Sequence, residues 1–520
     1  MSSIWRQRGP LLSDYGQASA MPSPVNRMMA AVADDFRPSV DVNLGVGYVN
    51  EATIPRQLIV DATREVLADG ERYPLALNYG GPRGTSSLIR SLRTYLTASA
   101  AGYADGTLAS RQFIIGPNGA TSLLEALATV LGPGLILTGD PIYYIYTNYL
   151  RRAGFRVLAL PDDEFGLPPE RIRRRLRALD GSELDALRFI YVMAVDNLTS
   201  TVLPPERMLQ LLQLATEIGQ ARGTPLPLIV DRAYVDLVHD PAAQVPASVA
   251  GVDVAGVLYE VGTLSKIIAP GLRIGYLIGP GGPLLDALVQ RTSDLGFSAP
   301  PINQEIASWI LDHHINSQLA RVRRGYQRKA VQVRRWLDEH LGDQLVEVRG
   351  GSASFYYYLT LATVSTSEDS AFFRQLTGQS AAASPRVLYL PGGGTLRGSG
   401  RGAARRWSQA AAHFVWLRGV GPDRVCHRAD GRRSQSLGAG AVHAAADSWR
   451  HAQPPHTAAR PQTAPVSGRR RVRCWCVRLW SGATQAGSCG GWRPARSAAL
   501  PHLILAPLLE SGWVALWCRG

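Results

Sequence analysis

Between about residues 75 and 300 the chain alternates short apolar runs with helical stretches, and this alternation limits the fold more than any other feature. Residues 113–131 read as strand, glycine turn and helix. Residues 135–140, 155–160, 188–195, 228–231 and 256–261 read as further strands. A helix is expected over 204–223, with proline near its start and glycine at its end. Strands interleaved with helices build a mostly parallel sheet with helices on both faces, an α/β fold. In such sheets ligands bind beyond the carboxyl ends of the strands. Gly119, Tyr143, Asn197, Asp231 and Lys266 all fall just after expected strands.

Lys266 is one of two lysines in the chain; the other is Lys329, and the remaining cations are arginine. An arginine-rich chain that keeps a lysine before Ile267 and Ile268 points to amine chemistry. A lysine forms a Schiff base once burial lowers its pKa, and an arginine does not. Thr263 and Ser265 flank it with hydroxyls, and Arg273 follows an Ala-Pro-Gly turn. Hydroxyls and a guanidinium fork suit a dianionic phosphate. The plain alternative is strand, turn and strand with a surface lysine. Gly119, Ala120 and Thr121 would open a helix whose free N–H groups and dipole favour an anion.

The pattern S/T-x-S-K-x-x-x-P-G-x-R over 263–273 closely resembles the lysine segment of the class I/II aminotransferases, the fold-type I enzymes of pyridoxal 5'-phosphate (PLP). Looser matches extend the resemblance over about residues 40–394. It implies a large PLP-binding domain over 41–300 and part of a smaller α/β domain over 301–394, after an N-terminal arm of residues 1–40. It implies that Lys266 holds PLP as a Schiff base and moves the proton in catalysis. Asp231 would keep the pyridine nitrogen protonated. Tyr234 and Asn197 would bond the phenolic oxygen, and Tyr143 would stack on the ring, with Tyr144 and Tyr146 as alternatives. Gly119, Ala120, Thr121, Thr263, Ser265 and Arg273 would hold the phosphate. Tyr79 would reach the cofactor phosphate of a partner subunit, which makes a homodimer the expectation. Gly47, with Gly45, would border the substrate pocket. After Asn197 this chain has Leu198 and Ser200 where the family has proline and glycine. The implied substrates are an amino acid and a 2-oxo acid. A PLP-dependent lyase, cyclase or oxidase, or an inactive member, is the alternative.

The formal net charge of +14 belongs to the tail. Residues 395–520 hold 19 Arg, no Lys, four acidic residues and all five cysteines. The resemblance stops where this composition begins, and no arginine for the substrate carboxylate is recognisable there. Translation of a GC-rich gene in a shifted frame, or disorder, is the reading of this tail; a basic nucleic-acid-binding tail is the alternative. Cys474 and Cys476 with distant Cys489 are a weak metal signal, and no metal ligands are assigned. The basic stretch 169–179 reads as a solvated helix face rather than a nucleic-acid site. No N-terminal secretory stretch and no membrane-length apolar run is apparent, so a cytoplasmic protein is expected.

Overall fold

The structure is a computed structural model that describes residues 11–23, 26, 27, 30, 36, 37, 40–44, 47–361, 365, 366, 370–378, 386–388, 390, 391, 517 and 518. All of these lie in one of the chain's two compact units; the other, Pro454–Leu509, lies outside the described residues. Gly45 and almost all of the tail over 395–520 lie outside them too, with the readings made of them.

Strand β1 (Val42–Asn43) precedes a seven-stranded sheet. The sheet's strands are β2 (Arg111–Ile115), β3 (Leu135–Asp140), β4 (Arg156–Pro161), β5 (Leu187–Met193), β6 (Leu228–Asp231), β7 (Leu258–Thr263) and β8 (Gly275–Pro280). Their order is β2-β8-β7-β6-β5-β3-β4. All run parallel except β8, which is antiparallel to both β2 and β7. The expected mostly parallel α/β sheet is therefore present, with one reversed strand.

The centre of the sheet is covered on both faces, so its strands read as continuous apolar runs rather than alternating ones. Every residue of β6 and β7 is buried. Glu260 sits inside β7 at 2% exposure because Arg232 meets it at 3.1 Å and the Ser248 hydroxyl donates to it at 2.7 Å. A buried carboxylate persists only with such partners. Helix Gly119–Leu131 lays Leu123, Leu124 and Leu127 into the core against β7 and β8. Each such leucine contributes about 1.5–3 kcal/mol on burial.

Helix starts follow capping chemistry. Helix Ser86–Ala98 is capped by Thr85, whose hydroxyl accepts from Leu88 N. Ser86 and Ser87 fall inside its first turn, and Gly84 just before the cap takes φ +101°. Helix Pro205–Arg222 ends at Gly223 in the left-handed conformation, φ 66°.

Helix Pro301–His313 packs back on helices Ser86–Ala98 and Arg56–Ala68. Helix Ile315–Leu341 then runs 27 residues, about 40 Å at 1.5 Å per residue. Beyond it β9 (Leu345–Gly350) and β10 (Tyr357–Leu361) form an antiparallel pair. The aromatic run Phe355–Tyr358 enters β10 only at Tyr357, because Ser354 takes φ 59° and Ala353 is bridged to Val238. Residues 354–356 thus form an irregular turn beside the large sheet. β11 (Val387–Leu388) returns to pair in parallel with β1. β12 (Leu390–Pro391) pairs in parallel with β13 (Trp517–Cys518). Asp41, next to β1, accepts from Arg37 at 2.7 Å and from Arg386 at 2.8 Å. Among the described residues no helix is long and apolar enough to cross a membrane.

Candidate active site

The site is built at the carboxyl ends of β3, β5, β6 and β7 and at the start of helix Gly119–Leu131. Lys266 comes just after β7, in a turn closed by Ile268 N donating to Leu264 O at 2.9 Å. Leu264, Ile267 and Ile268 are buried around it and carry the lysine under the surface. Its Nζ lies 5.2 Å from the Tyr234 ring centroid and 5.7 Å from that of Phe355. Burial pushes the ammonium down to about 8; Asp231 opposes the shift and Arg273 adds to it. These three charged groups therefore act on one another.

Asp231 is the last residue of β6 and is buried. It accepts from Tyr191 Oη at 3.0 Å and from Ala233 N at 2.9 Å. Burial pushes its carboxyl up to about 6, against both bonds and the nearby Lys266. Tyr234, three residues on, receives the Asn197 side-chain amide at 2.8 Å and stands 3.4 Å from Tyr356 Oη. The structure thus brings the side chains of Asn197 and Tyr234 together.

The loop bearing Asn197 is tied from within. Asp196 Oδ1 accepts from the N–H groups of Leu198 and Thr199 at 2.8 and 2.7 Å. Ser200 takes φ 56° where the family has glycine. A side chain in that region costs about 1–2 kcal/mol. The Ser200 hydroxyl offsets part of this by donating to Tyr356 O at 3.0 Å.

At the other end, Gly119, Ala120 and Thr121 open the helix, as expected, with their backbone at its N-terminus. Arg273 reaches them across 155 residues of chain: Nε donates to Asn118 Oδ1 at 2.6 Å and Nη2 to Asn118 O at 3.0 Å. A Cβ on Gly119 would stand 3.0 Å from Arg273 Nη2, and one on Gly275 only 2.1 Å from Ala120 N. Glycine at 275 is what lets β8 touch the helix start. The Thr263 hydroxyl donates to Ile274 O at 2.7 Å and accepts from Ser265 N at 3.1 Å, so its hydrogen is committed to the turn. Ser265 Oγ lies 2.9 Å from it.

Tyr143 follows β3 directly. Burial, then Asp231, push its hydroxyl up to about 12, while a bond with Thr121 eases the shift. Tyr144 and Tyr146 are 4% exposed core residues, and Tyr146 lies edge-on to Tyr191 at 5.0 Å. Gly47 presses on the same region: a Cβ there would fall 2.0 Å from Tyr356 Oη. Tyr79 is elsewhere, 83% exposed and edge-on to Phe297.

These residues fit a phosphate-bearing pyridine aldehyde. An uncapped helix start beside a guanidinium suits the phosphate. A buried carboxylate suits a ring nitrogen, and an amine near pKa 8 suits the aldehyde. The model of the family Aminotransferase class I and II matches residues 41–400. The chain belongs to that family. Its cofactor is pyridoxal phosphate.

Among relatives of this aminotransferase is an uncharacterized HTH-type transcriptional regulator, YisV of Bacillus subtilis, 23% identical over 373 residues and covering 70% of each chain. Another is a 2-aminoadipate transaminase of Thermus thermophilus, 27% identical over 43% of this chain and 53% of its own length. This chain spans about half the length of several curated relatives, such as a second Bacillus subtilis regulator at 50%. The multiple substrate aminotransferase of Thermococcus profundus shares the fold, with a TM-score of 0.63 at 19% identity over 74% of this chain and 89% of its own.

Four residues of the candidate site carry no clear mark in the sequence: Asn118, Tyr191, Phe355 and Tyr356. Tyr191 lies inside β5 and reads as core. Asn118 reads as an ordinary helix cap. Phe355 and Tyr356 read as strand. Only Asn118, one residue before the anion-binding turn, carried a usable signal.

Proposed function

We propose that this chain transfers an amino group between an amino acid and a 2-oxo acid, working as a homodimer in the cytoplasm. The observation that carries the reading is Lys266, a half-buried lysine whose amine is brought down to about 8 among Asp231, Tyr234 and Arg273. When bound, PLP supplies an electron sink for the carbanion formed at the substrate Cα.

The chain's own residues do the rest. Near neutral pH, Lys266 Nζ loses its proton more readily than a solvated lysine, so it serves as acid and base at the substrate Cα. Asp231 holds the ring nitrogen, and Tyr191 holds Asp231 in line. Asn197 and Tyr234 present donors to the phenolic oxygen. Gly119, Ala120, Thr121, Ser265, Thr263 and Arg273 bind the phosphate end, and Tyr143 covers the ring. Gly47 and Tyr356 border the space left for substrate. Tyr79 supports the homodimer: with Leu75 and Leu77 it forms an exposed apolar stretch, which in a soluble protein marks a contact surface.

The test is the visible absorption of protein given PLP, with Lys266→Ala beside wild type. An absorption band that depends on Lys266, bleaches with an amino acid and returns with a 2-oxo acid is the expected result. Lys266→Ala should lose at least a hundredfold in turnover, the range of general acid–base catalysis, about 10²–10⁴. The likeness to HTH-type regulators favours a second reading, in which the site binds cofactor and amino acid as a sensor. A band that shifts with an amino acid, but never cycles with any 2-oxo acid, would select it.

A further inference from the structure

Away from the phosphate and the lysine, two acidic side chains line a small cavity, each with one oxygen that has no hydrogen-bond partner. The cavity holds about 10 Å³, room for the centre of one water-sized occupant. It lies at the carboxyl ends of three neighbouring strands, β5, β3 and β4. Its polar lining is Asp162, just past β4, Asp196, three residues past β5, and Thr201; Gly139 of β3 forms one wall. Ile142, Val192 and Leu203 close the rest with apolar surface.

Asp162 Oδ1 and Asp196 Oδ2 are both fully buried and have no hydrogen-bond partner. Asp196 as a whole is 5% exposed, and its other oxygen is spent on the Asn197 loop. A Cβ on Gly139 would stand 2.3 Å from Asp162 Oδ1, so only bare backbone leaves the space open. The surrounding charge does not help. Asp140 and Asp163 add negative charge to Asp162, and Asp163 is answered by Arg207. Arg349 is the cation that acts on both carboxyls, and it is paired with Glu347 at 2.6 Å.

A buried carboxylate without a partner is costly, so something neutralises this pair. Burial pushes both carboxyls up, and neighbouring carboxylates push Asp162 further, so a bound proton is the competing way to remove the charge. A divalent ion needs a larger oxygen cage, and among the described residues no group of three or more acidic, His or Cys side chains is placed to hold a metal. A monovalent ion of about the size of water fits the space and offsets one of the two negative charges.

We propose that this cavity binds one alkali-metal cation, sodium or potassium, through Asp162 and Asp196. The ion then fixes Asp196, and through it the loop that presents Asn197. The proposal stands apart from the substrate reading, because its readout is stability and not turnover.

The test is thermal unfolding of the full chain in sodium, potassium and tetramethylammonium chloride at one ionic strength. At least one alkali salt should raise Tm over tetramethylammonium by about 3 °C or more, saturating with concentration. Asp162→Asn, which keeps size and removes charge, should abolish the difference. Equal Tm in all three salts overturns the proposal and assigns the pair a shared proton. A salt difference that survives in Asp162→Asn also overturns it. Should that variant not fold, thallium-205 NMR of the wild type decides: a bound resonance displaced by potassium supports the site, and its absence refutes it.

Discussion

Lys266 and Asp231 are both held against their preferred charge states, and this has a sign that can be worked out. The lysine's folded pKa, about 8, lies below its ordinary 10.5, so between those values the unfolded chain binds the extra proton. Its penalty is in full force below pH 8 and relaxes as pH rises toward 10.5. The carboxyl of Asp231 is raised to about 6, so its penalty is full above pH 6 and relaxes as pH falls toward 4. Together the pair lowers the stability of the cofactor-free protein most between pH 6 and 8. Lys266→Met should therefore stabilise that form at pH 7, by up to about 3 kcal/mol from the size of the lysine shift. Denaturant melts across pH would check it: the gain should shrink from pH 8 upward. A Lys266→Met protein that is less stable at pH 7 would refute the claim that the lysine is strained. These two residues, with Tyr234 and Asn197, were legible in the sequence because each sits at a strand's carboxyl end with distinctive chemistry. Tyr191 was not, since a tyrosine inside a buried strand has the same pattern whether it fills space or holds a carboxylate.

The element that shapes the proposed phosphate end is the reversed strand β8. Gly275, its first residue, lies against the first turn of helix Gly119–Leu131, and Arg273 just before it takes φ 57° to reach Asn118. Gly275→Ala would drive a methyl group into the Ala120 amide. We expect a loss of about 2–3 kcal/mol of stability, as for overpacking at a rigid contact, and at least tenfold weaker PLP binding by fluorescence titration. Unchanged affinity would show that the helix start does not hold the phosphate. No local pattern signals this reversal: residues 275–280 are as apolar as the parallel strands beside them, and direction is set by the short turn after Lys266. The same limit applies to residues 354–356. Their aromatic run reads as strand, yet the left-handed Ser354 and the bridge from Ala353 to Val238 bend it over Tyr234. Local pattern carries element type well, and contacts between distant turns poorly.

At the scale of the whole molecule, Asp41 joins the beginning and the far end of the described chain. Burial alone would raise its pKa; the side chains of Arg37 and Arg386 and their N–H groups outweigh that and hold it well below the usual carboxylate range. Its contribution is present above about pH 4 and is lost as pH falls through the depressed value. Asp41→Asn should cost about 3 kcal/mol, as when a buried ion pair loses one member. It should also remove the acid-side loss of stability; a variant with wild-type acid melting would place that loss elsewhere. Because Val42 lies beside Val387 and Asn43 beside Leu388, the described fold is nearly a closed ring. A ring has no privileged starting point. A rearranged gene that joins residue 388 to residue 41 through a short linker, and begins instead at exposed Thr224, should therefore yield the same sheet and the same lysine site. In such a chain the fold from β1 to β11 would be made without any residue beyond 388, and its PLP spectrum would report how much the remaining residues matter to the chemistry.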